Sequence, residues 1–309
     1  MPIPDFQTLM RPVLEAHEDG GERSRGPLLE DLAQRFELTE EERAERLPSG
    51  TQRRFDNRLA WTTTHLAQAG LLERPRRGVT RLTDRGRQVL REEPARVDIS
   101  VLNRFPEYLR FRGAATSDGQ AASGETNLGG SSEATPEEAM QAAYTELNAA
   151  VAEELLAKVL GCDPAFFEQL VVDVLIAMGY GGSKAEAGER LGQSGDGGID
   201  GVIREDLLGL DAIYLQAKRW DPSRAVGRPE VQAFVGALQG ARTSKGVFIT
   251  TSQFSSQAQQ YAASINAPVV LIDGRRLARL MIEYGVGVTV RQTYYLKRID
   301  EDYFANDVL

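Results

Sequence analysis

A stretch of twenty residues divides this chain. From Ala114 to Glu133 it carries no aromatic residue and one leucine, in a run of Ala, Ser, Gly and Thr. Such a composition cannot bury enough apolar surface to offset the entropy of ordering it. Residues 113–135 therefore read as a flexible linker. Each flank must build its own core, and 309 residues suffice for two. We place one domain at 1–95, a linker region at 96–136 that is flexible from about 113, a second domain at 137–298, and an acidic tail at 299–309.

In the first flank, apolar residues recur at helical spacing in 6–16, 27–36 and 51–69. Pro27 suits a first helical turn. Thr39 with Glu42 three residues on forms a capping-box pattern. Residues 71–82 form a hairpin whose tip is basic, and Thr83 caps a last short helix to about Arg91. Helices followed by a two-stranded wing give a winged helix-turn-helix, with the 51–69 helix expected in the major groove. Residues 97–112 are too apolar for a free tail and are expected against a domain surface.

Charge distribution supports a nucleic-acid partner although the net charge is −9. Thr51 to Arg91 holds ten arginines and three acids, so +7, whereas Met1 to Gly50 holds six arginines and twelve acids, so −6. A local field binds phosphates where the average does not. Arg53, Arg54 and Arg58 near the helix start, with Arg74, Arg76 and Arg77 on the wing, are the candidate DNA contacts. The alternative is pairing with the acidic first fifty residues.

The second flank alternates helices and strands, which implies an α/β layer with a parallel portion. Helices are expected over 135–159, with Ala139, Ala143, Leu147, Val151, Leu155 and Val159 inward, and over 165–178, with Phe166, Leu170, Val174 and Leu175 inward. Strands follow at 199–204 and 213–218. Then come a helix from Arg228 to Ala241, a strand over 246–251, a helix over 255–266, a strand over 268–273 and a helix over 274–284. Val286, Val288, Val290, Tyr294 and Leu296 share one parity and are expected to add an edge strand.

Strand alternation turns Tyr214, Gln216 and Lys218 to one face. If the 199–204 and 213–218 strands pair, Asp200, Gln216 and Lys218 meet. A carboxylate and an amide oxygen suit a hard cation such as Mg2+, and a lysine suits a water or a developing phosphoryl charge. Asp196, before two glycines, fits a turn role better than Asp200 does. Two histidines far apart, His17 and His65, and a lone Cys162 give poor support to a zinc site, a Ser/His/Asp triad or a disulfide.

The segments Gly195-Asp-Gly-Gly-Ile-Asp-Gly201, Gln216-Ala-Lys-Arg-Trp220, Arg228-Pro-Glu-Val-Gln-Ala-Phe234 and Lys245-Gly-Val-Phe-Ile-Thr-Thr-Ser252 together resemble the PD-(D/E)xK nucleases, specifically the Mrr-type restriction endonucleases. The resemblance implies a restriction-endonuclease-like mixed sheet flanked by helices, behind an N-terminal winged helix. It implies a first strand near 185–191 and an acidic residue supplied by the 165–178 helix, where Glu168 stands, though Glu168 suits a plain surface position equally. It implies catalysis by Asp200, Gln216, Lys218 and Glu168, with Mg2+ or Mn2+ on Asp200, Gln216 and the Ala217 backbone carbonyl. Glutamine replaces the more usual carboxylate at 216.

Arg219 reads as a phosphate contact and Trp220 as packing. Glu230 suits a helix first turn, with Gln232 a possible neighbour of the site. Thr250, Thr251 and Ser252 suit a phosphate or a helix cap. The expected activity is endonucleolytic cleavage of modified, typically methylated, double-stranded DNA by a homodimer or larger assembly. The expected location is the cytoplasm, on the nucleoid, with no membrane partner. A DNA-binding regulator with an inactive nuclease-like domain and a junction-resolving nuclease are the alternatives.

Overall fold

The computed structural model describes residues 2–93, 95–114, 133–181, 188–190, 199–204, 212–241, 245–300 and 303. The chain divides into two compact units, Met1–Thr145 and Glu146–Leu309.

The first unit runs α1 (Met10–Ala16), β1 (Arg23–Ser24), α2 (Arg25–Arg35), α3 (Glu40–Ala44), α4 (Arg54–Gln68), β2 (Leu72–Arg76), β3 (Val79–Leu82), α5 (Asp84–Glu92), α6 (Ile99–Leu102) and α7 (Pro106–Ala114). The three strands form one antiparallel sheet in the order β1-β3-β2. This is a winged helix, with α4 ahead of the wing. Thr39 and Glu42 close the expected capping box on α3, and the Thr83 hydroxyl accepts from Gly86 N–H to start α5. Leu9, Val13, Leu32, Phe55, Leu59 and Leu66 fill the core.

Val97, Val101, Leu102 and Tyr108 belong to the same core. The expected boundary at 95 therefore falls inside packed structure, and residues 97–111 close the core rather than lie on it. Residues 115–132 of the expected linker lie outside the described residues. Its end does not hang free, since Thr135 is fully buried.

The unit division falls within α8 (Pro136–Gly161), and the chain continues through α9 (Pro164–Ala177), β4 (Gly188–Arg190), β5 (Gly201–Arg204), β6 (Ala212–Lys218), α10 (Arg228–Gly240), β7 (Gly246–Thr250), α11 (Ser256–Ser264), β8 (Val269–Ile272) and α12 (Gly274–Glu283). The sheet order is β4-β5-β6-β7-β8. The first three strands pair antiparallel, and β6, β7 and β8 run parallel. One apolar layer joins α9 and α12 to Ile213, Leu215 and Ile249, while another joins Val231 and Phe234 of α10 to Phe248 and Phe254. The sheet is thus covered on both faces, which requires the near-continuous apolar run of β7.

Three expectations fail here. Of the stripe assigned to α8, Leu155 and Val159 are buried but Leu147 is 67% exposed and Val151 39%. On α9 the buried ring is Phe167, and Phe166 is half exposed, because neighbours on a helix point about 100° apart. Beyond α12, residues 286–300 carry no strand. Val286 and Val288 touch the core, but Val290, Tyr294 and Leu296 stand in solvent.

Candidate active site

β5 and β6 pair with Gly201 opposite Leu215. Because they are antiparallel, the start of β5 lies beside the end of β6. Asp200 sits at that start, its N–H donating to Leu215 O at 2.8 Å. Its Oδ2 accepts from the Gln216 side-chain amide and from Ala217 N–H at 2.8 Å. The N–H and C=O of a strand residue project to the same side. The Ala217 carbonyl therefore faces the Asp200 side of β6. Gln216 is buried, and Asp200, Ala217 and Lys218 are half-buried.

Burial pushes the Asp200 carboxyl up from its ordinary value. The Ala217 N–H, the Lys218 charge and the Gln216 amide pull it back, while the Glu168 charge adds to the rise. Lys218 and Glu168 are thus both felt at the same carboxylate. Glu168 comes from α9, which packs on β4, β5 and β6. Asp200, Gln216 and Lys218 stand at one end of the β5–β6 pair, and Glu168 lies on the helix packed against these strands.

These groups fit a hard cation. The Asp200 carboxylate, the Gln216 amide oxygen and the Ala217 carbonyl are all oxygen donors, and Glu168 adds a further carboxylate on the neighbouring helix. Among the described residues no group of three or more His, Cys, Asp or Glu gathers.

The surroundings differ from several expectations. Arg219 turns inward and donates to Leu160 O at the end of α8, so it caps a helix and does not face a phosphate. The hydroxyls of Thr250, Thr251 and Ser252 are also committed. Thr250 Oγ1 donates to Lys218 O at 2.7 Å, Thr251 Oγ1 to Trp220 O at 2.6 Å, and Ser252 Oγ to Arg224 O. They neither meet a phosphate nor cap α11, which Ser255 caps. Glu230 accepts from Gly227 N–H at 3.1 Å, closing the first turn of α10, and Gln232 is exposed. Gly274 donates to Ser252 O at 2.9 Å. A Cβ there would lie 2.3 Å from Thr251 O, so α12 can start against β7 only with glycine. Asp196 lies outside the described residues.

In the first unit the six arginines divide. Arg53, Arg74, Arg76 and Arg77 are exposed, and the last three line the wing. Arg74 donates to Thr64 Oγ1 at 2.9 Å, and Arg76 pairs with Glu22 at 3.2 Å. Arg54 and Arg58 are instead held in the fold. Arg58 pairs with Glu138 at 2.9 Å and donates to Ile3 O and Pro4 O at 2.6 and 3.1 Å. Arg54 pairs with Glu45 and, at 3.5 Å, with Glu138. The same face of α4 meets Thr135, which donates to Asn57 Oδ1 at 2.7 Å, and Glu137, which accepts from Trp61 Nε1. The acids that pair with Arg54 and Arg58 come from Glu45 and from the start of α8. Only Glu45 lies in the acidic first fifty residues.

The fold and the residues at this end of the sheet define a restriction-endonuclease-like catalytic domain that follows a winged helix. The family model described as "Restriction endonuclease" matches residues 159–281, and "Mrr N-terminal domain" matches residues 6–92. The chain is 38% identical over 310 residues, 98% of its own length and 100% of the other, to "Type IV methyl-directed restriction enzyme EcoKMrr" of Escherichia coli (strain K12). The chain belongs to the Mrr-type restriction endonucleases. Among solved structures, "DNA modification-dependent restriction endonuclease AspBHI" is 23% identical with a TM-score of 0.37, covering 45% of this chain and 36% of that one. "MspJI Restriction Endonuclease in Complex with 27-mer Oligonucleotide" is 24% identical with a TM-score of 0.28, covering 66% and 47%.

Proposed function

We propose that this protein cuts modified, typically methylated, double-stranded DNA with Mg2+ or Mn2+ at a site formed by Asp200, Gln216, Lys218 and Glu168. The observation that carries the reading is the single Asp200 oxygen joined by the Gln216 amide and the Ala217 N–H, with the Lys218 and Glu168 charges both felt there. Asp200, Gln216 and the Ala217 carbonyl would hold the cation, with Glu168 beside them. When bound, it polarises the scissile phosphate and lowers the pKa of a coordinated water.

The chain's own residues do the rest. Lys218 orients the attacking water and offsets charge that develops on the phosphoryl oxygens. The water oxygen bonds to phosphorus and gives up its proton to solvent as the opposite phosphorus–oxygen bond breaks, and the departing sugar oxygen keeps the bonding pair and takes up a proton to leave as a hydroxyl. Burial of Gln216 limits bulk water on that side of the site. The exposed Arg53 and the wing arginines Arg74, Arg76 and Arg77 bind DNA backbone. Two strands need two sites, so the working form is a homodimer or larger assembly. It acts on the nucleoid in the cytoplasm.

The test is cleavage of a panel of differently methylated plasmids with Mg2+ by the wild type and Asp200→Ala. The wild type cuts a methylated plasmid and the variant does not. Cutting that survives in Asp200→Ala removes the site assignment. Binding without cutting of any plasmid favours a regulator, and preferential cutting of branched duplex favours a junction-resolving enzyme.

A further inference from the structure

Three cations follow one another at the exit of β6, and each has a different fate. Lys218 acts on Asp200, and Arg219 is turned into the fold. Arg224 faces out. Its guanidinium carbon lies 3.8 Å from the centroid of the Trp220 ring, while the side chain stays exposed. Among the described residues no carboxylate pairs with it. Asp221, the nearest acid in sequence, has its Oδ1 taken by Ser223 N–H at 2.9 Å and Ser223 Oγ at 2.6 Å.

The platform under Arg224 is fixed. Trp220 packs on the layer of Val231, Phe234, Phe248 and Phe254, and its carbonyl is held by Thr251. Arg224 itself donates its N–H to Asp221 O at 2.9 Å, and its carbonyl accepts from Ser252. The loop is therefore pinned at two points to the carboxyl end of β7, the end at which Lys218 and Asp200 lie and where open α/β sheets bind ligands. An arginine stacked on an anchored indole keeps its donor edge free at little entropic cost.

We infer that Arg224 is a substrate-binding residue that grips a DNA phosphate next to the one being cut, with Trp220 as its support. The inference rests on the nuclease reading above. It makes the loop 219–227 part of the catalytic domain's DNA track, independent of the winged helix.

The experiment uses the full chain and a linear unmodified duplex without divalent cation, so that contact is measured apart from cleavage. The slope of log K against log salt is compared for wild type, Arg224→Ala and Arg224→Lys. One lost phosphate contact lowers the slope by about 0.9. Arg224→Ala is expected to show that loss with an unchanged melting temperature, and Arg224→Lys to restore the slope. In Mg2+ with a cleavable plasmid, Arg224→Ala is expected to raise KM about tenfold with kcat nearly intact. An unchanged slope in Arg224→Ala, or a lowered melting temperature as its sole effect, overturns the assignment and makes the stack a structural one. The slope decides whether Arg224 grips a phosphate even if the wild type proves unable to cut, an outcome that removes the nuclease reading and with it the neighbouring cut, but not the contact.

Discussion

Gln216 gives its side-chain amide to the Asp200 oxygen that also takes the Ala217 N–H. A neutral partner is what a half-buried carboxylate needs while no cation is bound. Replacing it by Gln216→Glu removes a donor and sets a second negative charge beside Asp200, at roughly 2 kcal/mol. The variant is expected to melt several degrees below wild type without divalent cation. It should gain more than wild type when Mg2+ is added, because two carboxylates hold the ion better. Thermal melts with and without the ion read both effects.

Cation binding should depend on acidity through Asp200. Its carboxyl is raised in the folded protein, chiefly by burial. Its contribution to stability is therefore present below the ordinary carboxylate value and is lost as pH rises through the raised one. A cation needs the ionised form, so its affinity climbs over that same window. The melting-temperature gain from Mg2+ should grow with pH in wild type and stay flat in Asp200→Asn.

Thr250 holds the backbone of Lys218, not its amine. Its hydroxyl reaches the Lys218 carbonyl at 2.7 Å, where Thr251 N–H also arrives at 3.3 Å. Thr250→Val keeps the shape and removes the bond, at about 1 kcal/mol. We expect kcat about tenfold lower with KM nearly unchanged, since a small misplacement of the amine acts on the transition state. Thr250→Ser should restore the rate.

Two arginines from one basic stretch should behave in opposite ways. Arg58 is held between Glu138 and two carbonyls, with its side chain 16% exposed. Arg58→Ala should cost roughly 2–3 kcal/mol of stability. Arg76 lies 72% exposed on the wing. Arg76→Ala should leave the melting temperature within a degree and weaken DNA binding, with a shallower salt dependence. Urea unfolding and salt-titrated binding separate the two.

The winged helix should be acid-sensitive through His65. The ring stacks on Phe6, and its Nδ1 shares a hydrogen bond with Tyr108 Oη at 2.7 Å. Burial, with the Arg112 charge, lowers its pKa to about 4. Stability from the neutral ring is complete above the ordinary value of 6.5 and is lost as pH falls toward 4. The loss is roughly 2 kcal/mol after discounting for partial exposure. His65→Gln should flatten stability over that range.

Much of the architecture was legible because helices and strands write different periods into the chain. The winged helix, the two strands that carry Asp200 and Gln216 and the α/β alternation after them all follow from local pattern. The caps at Thr39 and Thr83 are local too. What stayed hidden involves partners far apart in sequence. Arg58 and Glu138 are eighty residues apart, so a basic helix start looked free when it was engaged. The hydroxyls at 250–252 looked ready for a ligand because nothing nearby in sequence showed the carbonyls of 218–224 arriving beside them. Phe166 and Phe167 are indistinguishable by type, and only the packing of α9 selects the second. β1, at two residues, is too short to leave a pattern.

The three hydroxyls at the end of β7 act as a jig. They set the backbone that carries the Lys218 amine, proposed to act on the reacting phosphate, and also the backbone that carries the Arg224 guanidinium. Chemistry and grip thus share one mounting. Drift at that mounting would shift both together, so the distance between the cut bond and its neighbouring contact is kept even when the loop as a whole moves.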